Sequence, residues 1–410
     1  MFKQRCVLVL AVAVAAALFT VKCHCWKYAR HVINAGEKNV IPDHYIVLFK
    51  PGTKPDQVSA LETTVEQQQK GQILVRYTSG VLGFAAALEP EALKNVLANR
   101  HVLWVEADQK MSSSSVTEPA SSTGLDRIDQ RLLPLNSTFQ YTDTGEGVDV
   151  YVLDNGIRTS HQEFEDRAIH DFTASGLEGT EDCADHGTHV AGTVGGKTYG
   201  VAKKVRLHSV RVMDCKGQGE LSNVIAGVEW ITENRIKSRP AVANMSISGE
   251  TGMPSLDTKV HESINSGVTY VVTAHNRGRD ACNYSPARIV GAITVGAVNP
   301  KTDVLWVMSN HGACVDVYAP GVAVLSAGVA NDTDTAVKAG TSMATAYVAG
   351  VAALVLQRNP NATPHEVWNK IHENNNVFAV TPDWNGITNR QDLNTPTAAV
   401  PNELLQMPPQ

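Results

Sequence analysis

The chain has 410 residues, of which 43% are hydrophobic and 19% charged, the composition of an ordinary globular protein of two or three domains. Its formal net charge of -6 gives no electrostatic reason to expect a nucleic-acid partner. No basic tract favours a membrane surface either. Composition thus argues against these two classes of function.

A short basic stretch followed by an apolar run opens the chain. Lys3 and Arg5 precede the apolar segment Val7–Val21, whose length is typical of a signal-peptide core and short for a membrane-spanning helix. We therefore expect residues 1–25 to be a signal peptide, cleaved near Cys23–Trp26; an uncleaved anchor is the alternative. No second apolar stretch of about 18 residues follows, so we expect no membrane association once the signal is removed.

Three of the seven cysteines lie in or beside this leader, and four follow it. An even number of cysteines in an exported chain favours disulfides. Four cysteines allow three pairings, and their spacing does not choose among them. The four are Cys183, Cys215, Cys282 and Cys314.

Residues 43–107 predict a small α+β unit. Its apolar alternation and turn signals give the order βαββαβ, which is the ferredoxin-like arrangement. The predicted strands are His44–Lys50, Ile73–Tyr77, Leu82–Leu88 and Val102–Glu106, and the predicted helices are Pro55–Gln68 and Glu91–Ala98.

A polar break separates this unit from the rest of the chain. The segment Met111–Thr123 contains four consecutive serines, which bury nothing, so it predicts a flexible linker and a natural place for a proteolytic cut. A permanent interdomain linker is the alternative. We therefore expect an N-terminal segment over residues 26–115 that a cut would release, a second domain over 116–393, and a Pro-containing tail over 394–410 with little reason to be ordered.

From Gly124 onward, short apolar strands alternate with helices. This pattern predicts an α/β domain with a mostly parallel sheet flanked by helices, in which function gathers at the carboxyl ends of the strands. A capping box at Thr363–Glu366 opens a further helix. The other predicted elements are the strands Gly147–Leu153, Val205–Val212, Val242–Ile247, Val268–Thr273 and Ala292–Val298, and the helices His186–Gly195, Ser222–Ile236, Pro254–Asn265 and Thr341–Gln357.

Three polar residues stand at junctions of this alternation. Asp154 ends a strand, His186 enters an Ala/Val/Gly-rich helix, and Ser342 begins another helix, where exposed N–H groups favour negative charge. Taken singly, the aspartate could form a turn and the serine could cap its helix. Together they supply the nucleophile, base and orienting acid that acyl transfer needs.

A second histidine raises the alternative of a metal site. His186 and His189 are three residues apart, but the glutamate of an H-E-x-x-H motif is absent. We therefore interpret His189 as a core or supporting residue.

The motifs V-L-D-N-G-I, H-G-T-H-V-A-G-T and G-T-S-M-A-T surround these three residues in the order Asp, His, Ser. The chain thereby resembles subtilisin-like serine proteases of the proteinase K subfamily. The segments Tyr199–Lys204 and Ala281–Ala287 are typical of that subfamily. The unit at 43–107 resembles the family's inhibitory propeptide, and the resemblance implies an endopeptidase made as a self-processing zymogen.

The resemblance also implies roles for further residues. Asn276 would donate to the oxyanion together with the Ser342 backbone N–H. Cys183 would pair with Cys215, and Cys282 with Cys314. An extended substrate would pair with one edge of the cleft. The substrate-binding residues implied are Ser246, Ile247, Ser248, Gly249, Thr273 and His275.

The family needs no cofactor for catalysis, but the resemblance implies a structural calcium ion. Asp316 would supply a carboxylate, and Val290 and Ala292 would supply main-chain oxygens, a donor set that is chemically acceptable for Ca²⁺. The alternative is that Asp316 is a solvated turn residue.

Four positions depart from the family pattern. Asn155 replaces a Thr or Ser, Ser248 and His275 each replace a glycine, and Ala346-Tyr347 replaces Pro-His. The imidazole of His275 should shrink or polarise the primary specificity pocket. This favours unusual specificity, or alternatively a binding protein on the subtilase scaffold that cuts itself once and keeps its propeptide bound.

The expected partners are peptide or protein substrates and the chain's own propeptide, acting as an intramolecular inhibitor on a monomer. We expect secretion, or delivery to the lumen of a secretory or lysosome-like compartment. Sequons at Asn136, Asn331 and Asn361 could carry glycans in a eukaryotic cell. Those at Asn244 and Asn283 fall in predicted packed segments, where we expect none.

Overall fold

The computed structural model describes residues 32–37, 39–68, 71–113, 116–117, 123–377 and 403–407. The predicted signal peptide, the remaining linker residues and most of the predicted tail lie outside these ranges. Within them, no helix combines the length and apolar character needed to cross a bilayer.

The N-terminal module is a sheet with two helices on one face. The strands lie in the order β1-β5-β2-β4-β3, which reproduces the predicted ferredoxin-like topology. Apolar side chains of both helices, among them Val58, Leu61 and Val96, form one core with the sheet. The elements are β1 (Val32–Ile33), β2 (Val40–Phe49), α1 (Pro55–Gln68), β3 (Gln72–Tyr77), β4 (Gly83–Ala87), α2 (Pro90–Ala98) and β5 (Val102–Ser113).

Strand β5 continues beyond the predicted strand and into the predicted linker. Its last residues, up to Ser113, pair with strands of the second module, and Val116–Thr117 forms a further strand, β6. The prediction of a flexible linker is therefore wrong for these residues. Serines bury little, but backbone N–H and C=O groups between two strand edges form hydrogen bonds whatever their side chains.

The second module contains the remaining elements of the fold. They are α3 (Thr123–Ile128), β7 (Asp149–Asp154), β8 (Ala168–Thr173), α4 (Gly187–Gly195), β9 (Arg206–Arg211), β10 (Gln218–Glu220), α5 (Leu221–Asn234), β11 (Ala241–Met245), β12 (Ile247–Ser248), α6 (Pro254–Asn265), β13 (Val268–Thr273), β14 (Ile293–Val298), β15 (Val317–Pro320), β16 (Val324–Ala327), β17 (Thr335–Ala339), α7 (Thr341–Arg358), α8 (Pro364–Asn374), β18 (Asn376–Val377) and β19 (Glu403–Leu404).

Nine of these strands form one sheet in the order β18-β19-β15-β14-β13-β11-β7-β9-β8. Every neighbouring pair is parallel except β18 with β19. Helix α7 is buried along almost its whole length, which explains why its sequence has no polar face. The α/β prediction of a mostly parallel sheet flanked by helices is confirmed.

Part of the C-terminal tail belongs to this sheet. Glu403–Leu404 pairs with both β15 and β18, and Leu404 and Leu405 are fully buried. The Met407 N–H donates to the Ile128 carbonyl at 2.8 Å. The prediction that the tail lacks order is therefore wrong for residues 403–407.

Two acidic residues of β5 attach the N-terminal module to the second module. Glu106 accepts a 2.8 Å hydrogen bond from the Ser255 N–H in the first turn of α6, and Asp108 accepts one of 3.1 Å from the Ser222 N–H in the first turn of α5. Each carboxylate thus pairs with a backbone donor that the helix itself leaves unpaired. The N-terminal module is thereby held across two helix N-termini.

Candidate active site

Two of the three junction residues of the sequence motifs, Asp154 and His186, contact one another at the carboxyl edge of the large sheet. Asp154 is the last residue of β7 and is fully buried, and His186 directly precedes α4. The Nδ1 atom of His186 lies 2.8 Å from both carboxylate oxygens of Asp154. This contact fixes the ring and leaves Nε2 as the nitrogen available for proton transfer.

Asn155, which departs from the family pattern, supports this pair. Its side-chain oxygen accepts a 2.9 Å hydrogen bond from the Gly187 N–H, and its own N–H donates to Asp154 Oδ1 at 2.9 Å. Gly187 has no room for a side chain, because a Cβ there would lie 2.1 Å from the Gly156 carbonyl. The turn after Asp154 is therefore joined directly to the start of the helix that carries His186.

Asp182 is a supporting residue that the sequence interpretation missed. It accepts hydrogen bonds from the backbone N–H groups of Ala184, Asp185 and Thr188, and so orders the loop that leads to His186. An Asp a few residues before a glycine-rich helix is a familiar loop-forming signal. In the sequence, this segment was interpreted only through the neighbouring Cys183, as part of a disulfide.

Ser342 lies in the first turn of α7 and is buried. Its Oγ donates to the Ser246 carbonyl at 3.0 Å, and the Ser246 hydroxyl donates back to the Ser342 carbonyl at 3.0 Å. Within the described residues, the Nε2 atom of His186 has no hydrogen-bond partner. The structure thus places Ser342 against the strand edge that begins at Ser246.

Asn276 is held against the same helix start. Its side-chain oxygen accepts hydrogen bonds from the Thr341 N–H at 3.0 Å and from the Thr341 hydroxyl at 2.7 Å. Because the oxygen is engaged in this way, the orientation of the amide is fixed, with its NH₂ group on the opposite side. Thr273, whose Oγ1 lies 2.5 Å from Thr341 Oγ1, ties β13 to the same turn.

Two edges of the cleft are already paired with the chain's own strand β5. Ser112 and Ser113 pair antiparallel with Ser248 and Ile247, and residues 110–112 pair antiparallel with β10. The resemblance implied the first edge, whose role in substrate binding stays a prediction. The sequence analysis missed the second edge, Gln218–Glu220, because three residues around a glycine give no strand periodicity.

Ser248 and His275, both departures from the family pattern, contact one another. The Ser248 hydroxyl and His275 Nδ1 are 2.6 Å apart, and both residues are buried. Burial lowers the pKa of His275 to about 4, with the nearby Arg277 charge acting in the same direction and Glu250 opposing it. The imidazole is therefore neutral at ordinary pH.

The remaining departure, Ala346-Tyr347, lies in the core. Tyr347 is buried, and a Cβ on Gly124 would lie only 2.1 Å from its hydroxyl. This tyrosine thus packs against helix α3.

His189 is also in the core, where its Nε2 lies 2.9 Å from the Val324 carbonyl and burial lowers its pKa to about 3.

The structure forms two disulfides, Cys183–Cys215 and Cys282–Cys314, each spanning 32 residues. The first lies in the loops beside His186, and the Arg211 guanidinium is 3.4 Å from Cys183 Sγ. The second closes the loops that follow Asn276. One disulfide therefore supports each side of the cleft.

The residues expected to bind calcium lie near the end of the sheet. One oxygen of Asp316 accepts a 2.8 Å hydrogen bond from the Thr294 N–H, and burial raises its pKa to about 6. Val290 is 83% exposed in the adjoining loop, while Ala292 is buried. One carboxylate beside loop carbonyls is compatible with a cation, and the calcium site stays a prediction.

One other group of ligand-type side chains occurs among the described residues. Donor atoms of His44, Asp108 and Glu220 lie within 4.8 Å of one another at the junction of the two modules. Asp108 is already engaged there by the backbone N–H groups of Gln109 and Ser222. Helix capping accounts for this carboxylate.

The fold and the geometry of the cleft define a serine-type peptidase with an N-terminal inhibitory module. Residues 145–396 match the model of the subtilase family, and residues 44–114 match that of the peptidase inhibitor I9. The chain belongs to the subtilase family.

Known relatives agree with this assignment. The chain is 45% identical to an extracellular serine proteinase of Thermus sp. (strain Rt41A), over 80% of this chain and 83% of the relative. It is 35% identical to a cuticle-degrading serine protease of Arthrobotrys oligospora, over 88% and 92%. The crystal structure of a cold-adapted subtilisin-like serine proteinase has a TM-score of 0.63 and 39% identity, and the match covers 72% of this chain and all of that one.

Proposed function

We propose that this protein is a secreted endopeptidase zymogen in which Asp154, His186 and Ser342 form the catalytic triad. Ser342 attacks the scissile carbonyl, His186 takes and then returns the proton, and Asp154 holds the imidazole and stabilises its charged form. Asn276 and the Ser342 N–H bind the oxyanion. Secretion is supported by the predicted leader and by a relative described as extracellular.

The observation that carries this proposal is the position of strand β5. The strand leaves the inhibitor-like module and runs between β10 and β12, beside the Ser246 carbonyl that Ser342 contacts. An extended peptide paired on both sides in this way is the arrangement expected of a peptidase substrate. The propeptide thus serves as the first substrate and then as an inhibitor.

We keep the domain boundaries that the sequence predicts as part of this proposal. The signal peptide spans residues 1–25, the propeptide 26–115 and the peptidase domain 116–393, with the cut in the serine run after Ser113.

In this structure the Ser342 hydroxyl donates to the Ser246 carbonyl, so catalysis requires the hydroxyl to turn towards His186 Nε2. Catalytic hydrogen bonds often form only when substrate is bound.

Self-processing is tested by expressing the full chain with Ser342→Ala. This variant should stay uncut at the linker, whereas Ser160→Ala, on the exposed surface, should be processed like the wild type. Normal cutting of Ser342→Ala in a host lacking other proteases would overturn the proposal. Edman sequencing of the processed protein locates the cut.

The rival function is that of a binding protein that cuts itself once and keeps its propeptide. The filled space at Ser248 and His275 is the observation that favours it. A peptide assay on the processed protein, with and without a serine-directed inhibitor, separates the two. Inhibitor-sensitive turnover supports the peptidase, and a permanently retained propeptide without turnover supports the binding protein.

A further inference from the structure

His275 has an unusual backbone conformation beside the proposed oxyanion residue. Its φ is +79°, in a region that residues other than glycine seldom adopt. The conformation is held by a hydrogen bond from the Asn310 N–H to the His275 carbonyl, at 2.9 Å, and by one from the His275 N–H to Thr273 Oγ1, at 3.3 Å. A strained backbone beside the proposed oxyanion residue is the kind of feature from which a hypothesis of function can start.

The side chain spans the gap between two segments that both contact the start of α7. One is the edge Ser246–Ser248, which contacts Ser342, and the other is Thr273–Asn276, which contacts Thr341. The 2.6 Å hydrogen bond between Ser248 and His275 joins these segments. Two residues that replace glycines are therefore one structural unit.

The surroundings of this unit leave it little freedom. The imidazole packs against the ring of Tyr284, with the ring centroids 5.1 Å apart, and only about 2% of the surface of Ser248 and of His275 is exposed. Beneath the same edge, a Cβ on Gly249 would lie 1.4 Å from Cε of the buried Met253. The pair therefore cannot move aside without displacing packed neighbours.

Accepting the proposed function, we propose that Ser248 and His275 close the primary specificity pocket, so that the enzyme cleaves after glycine, alanine or serine. Ser248 lies on the edge that pairs with β5, and His275 directly precedes the proposed oxyanion residue, so the two side chains meet beside the proposed site of cleavage. Here a hydroxyl and an imidazole fill the pocket and satisfy one another. The chain's own processing segment agrees with this restriction, because residues 112–115 are all serine.

The charged residues nearby do not supply the specificity. Glu250 lies 3.9 Å from His275 Nε2 and is paired with Arg277 on the exposed rim. A pocket closed by neutral groups selects by size, and acidic or basic side chains gain nothing from it. Glu250→Gln is therefore a suitable control.

The test uses full-length, self-processed protein and tetrapeptide anilides that differ only in the residue before the scissile bond, which is alanine, leucine or phenylalanine. We expect the wild type to favour alanine over phenylalanine by at least tenfold in kcat/KM. Ser248→Gly with His275→Gly should raise the phenylalanine-to-alanine ratio by at least tenfold. Glycine suits the positive φ at residue 275, so this variant should fold.

Each single variant should shift the ratio less than the double variant does, and Glu250→Gln should leave it as in the wild type. An unchanged ratio in the double variant, or a wild type that cleaves after phenylalanine as readily as after alanine, would overturn the proposal. Failure of the proposed function gives a different result, namely no turnover of any peptide. In that case, binding of product peptides ending in alanine or phenylalanine to protein separated from its propeptide, measured by calorimetry, decides the question. The alanine peptide should bind more tightly, and measurable but equal affinities would refute a closed pocket.

Discussion

Two regions of the cleft differ: the proposed catalytic residues Asp154 and His186, and the residues that fill the substrate-binding space, namely β5, Ser248 and His275. Asp154 and His186 contact one another, and their supports are backbone N–H groups and buried side chains of the peptidase domain itself. The cleft is instead occupied by β5 and narrowed by Ser248 and His275. Asp154 and His186 lie in motifs typical of the family, and the departure beside them, Asn155, supports the pair, whereas Ser248 and His275 both replace glycines. The proposed catalytic residues and the residues that control substrate entry can therefore change independently in this fold.

The largest effect is expected from a substitution at Asn276, which should change the catalytic rate and leave substrate binding nearly unchanged. Replacing it with alanine removes the proposed donor to the oxyanion, which should lower kcat by about 10²–10³-fold, as loss of the corresponding donor does in subtilisin, while KM changes little. Steady-state kinetics on the preferred peptide of the Ala, Leu and Phe series measures both constants. Asn283→Ala, on an exposed side chain in the next loop, should match the wild type. A rise in KM with kcat unchanged would assign Asn276 to substrate binding.

The two disulfides offer a matched comparison, because both span 32 residues. Chain entropy then predicts the same loss for each, about 3–4 kcal/mol of unfolding free energy, or roughly 5–7 °C in Tm for a domain of this size. Paired Cys→Ser variants in the Ser342→Ala background, which prevents self-digestion, allow this to be measured by calorimetry. Clearly unequal losses would show that local packing, and not chain entropy, dominates.

The same disulfide variants in the active enzyme should separate the two sides of the cleft. Loss of Cys183–Cys215 loosens the loop that carries His186 and should act mainly on kcat. Loss of Cys282–Cys314 loosens the loops after Asn276 and should act mainly on discrimination between alanine and phenylalanine. Identical effects of both variants on both quantities would contradict this division.

Much of the catalytic edge could be predicted because its signals are local. Helix α6 was predicted to the residue, since Pro254 marks its first turn and the apolar spacing is regular. The proposed triad positions follow from residue types at strand and helix ends. The pairing of Ser248 with His275 could not be predicted, because the residues are 27 apart in sequence and only the packing of two loops brings them together.

The strands that were missed share a physical cause. Residues 111–113 and 403–404 carry no periodic pattern, and their strand geometry comes from the partner edges on which they lie. For such segments, backbone hydrogen bonds supplied by the rest of the fold outweigh weak local propensity. The pairing of β5 in the cleft therefore depends on strands that are distant in sequence, and the local sequence does not predict it.

The smallest effect that we predict concerns how firmly the cleaved propeptide is retained. Burial raises the pKa of Glu106 from 4.5 to about 7, and hydrogen bonds from Ser255 and Asn34 only partly oppose this. Released propeptide exposes this carboxyl group, so its pKa returns towards 4.5. Because the complex binds the proton more tightly, this contribution to retention is complete below about pH 4.5 and is lost as the pH rises through about 7.

Retention should therefore weaken by about one to two powers of ten between pH 5 and pH 8. Freshly processed protein is incubated at each pH and then diluted into one assay buffer, so that the latent fraction of peptidase activity reports retained propeptide. Glu106→Gln should flatten this dependence, because the amide has the same shape and does not titrate. Glu91→Gln, on the exposed face of α2, should keep the wild-type profile. If retention of the propeptide by Glu106→Gln still falls steeply with pH, another titratable group at the junction causes the pH dependence. Retention of the propeptide would then not depend on the carboxylate that caps α6.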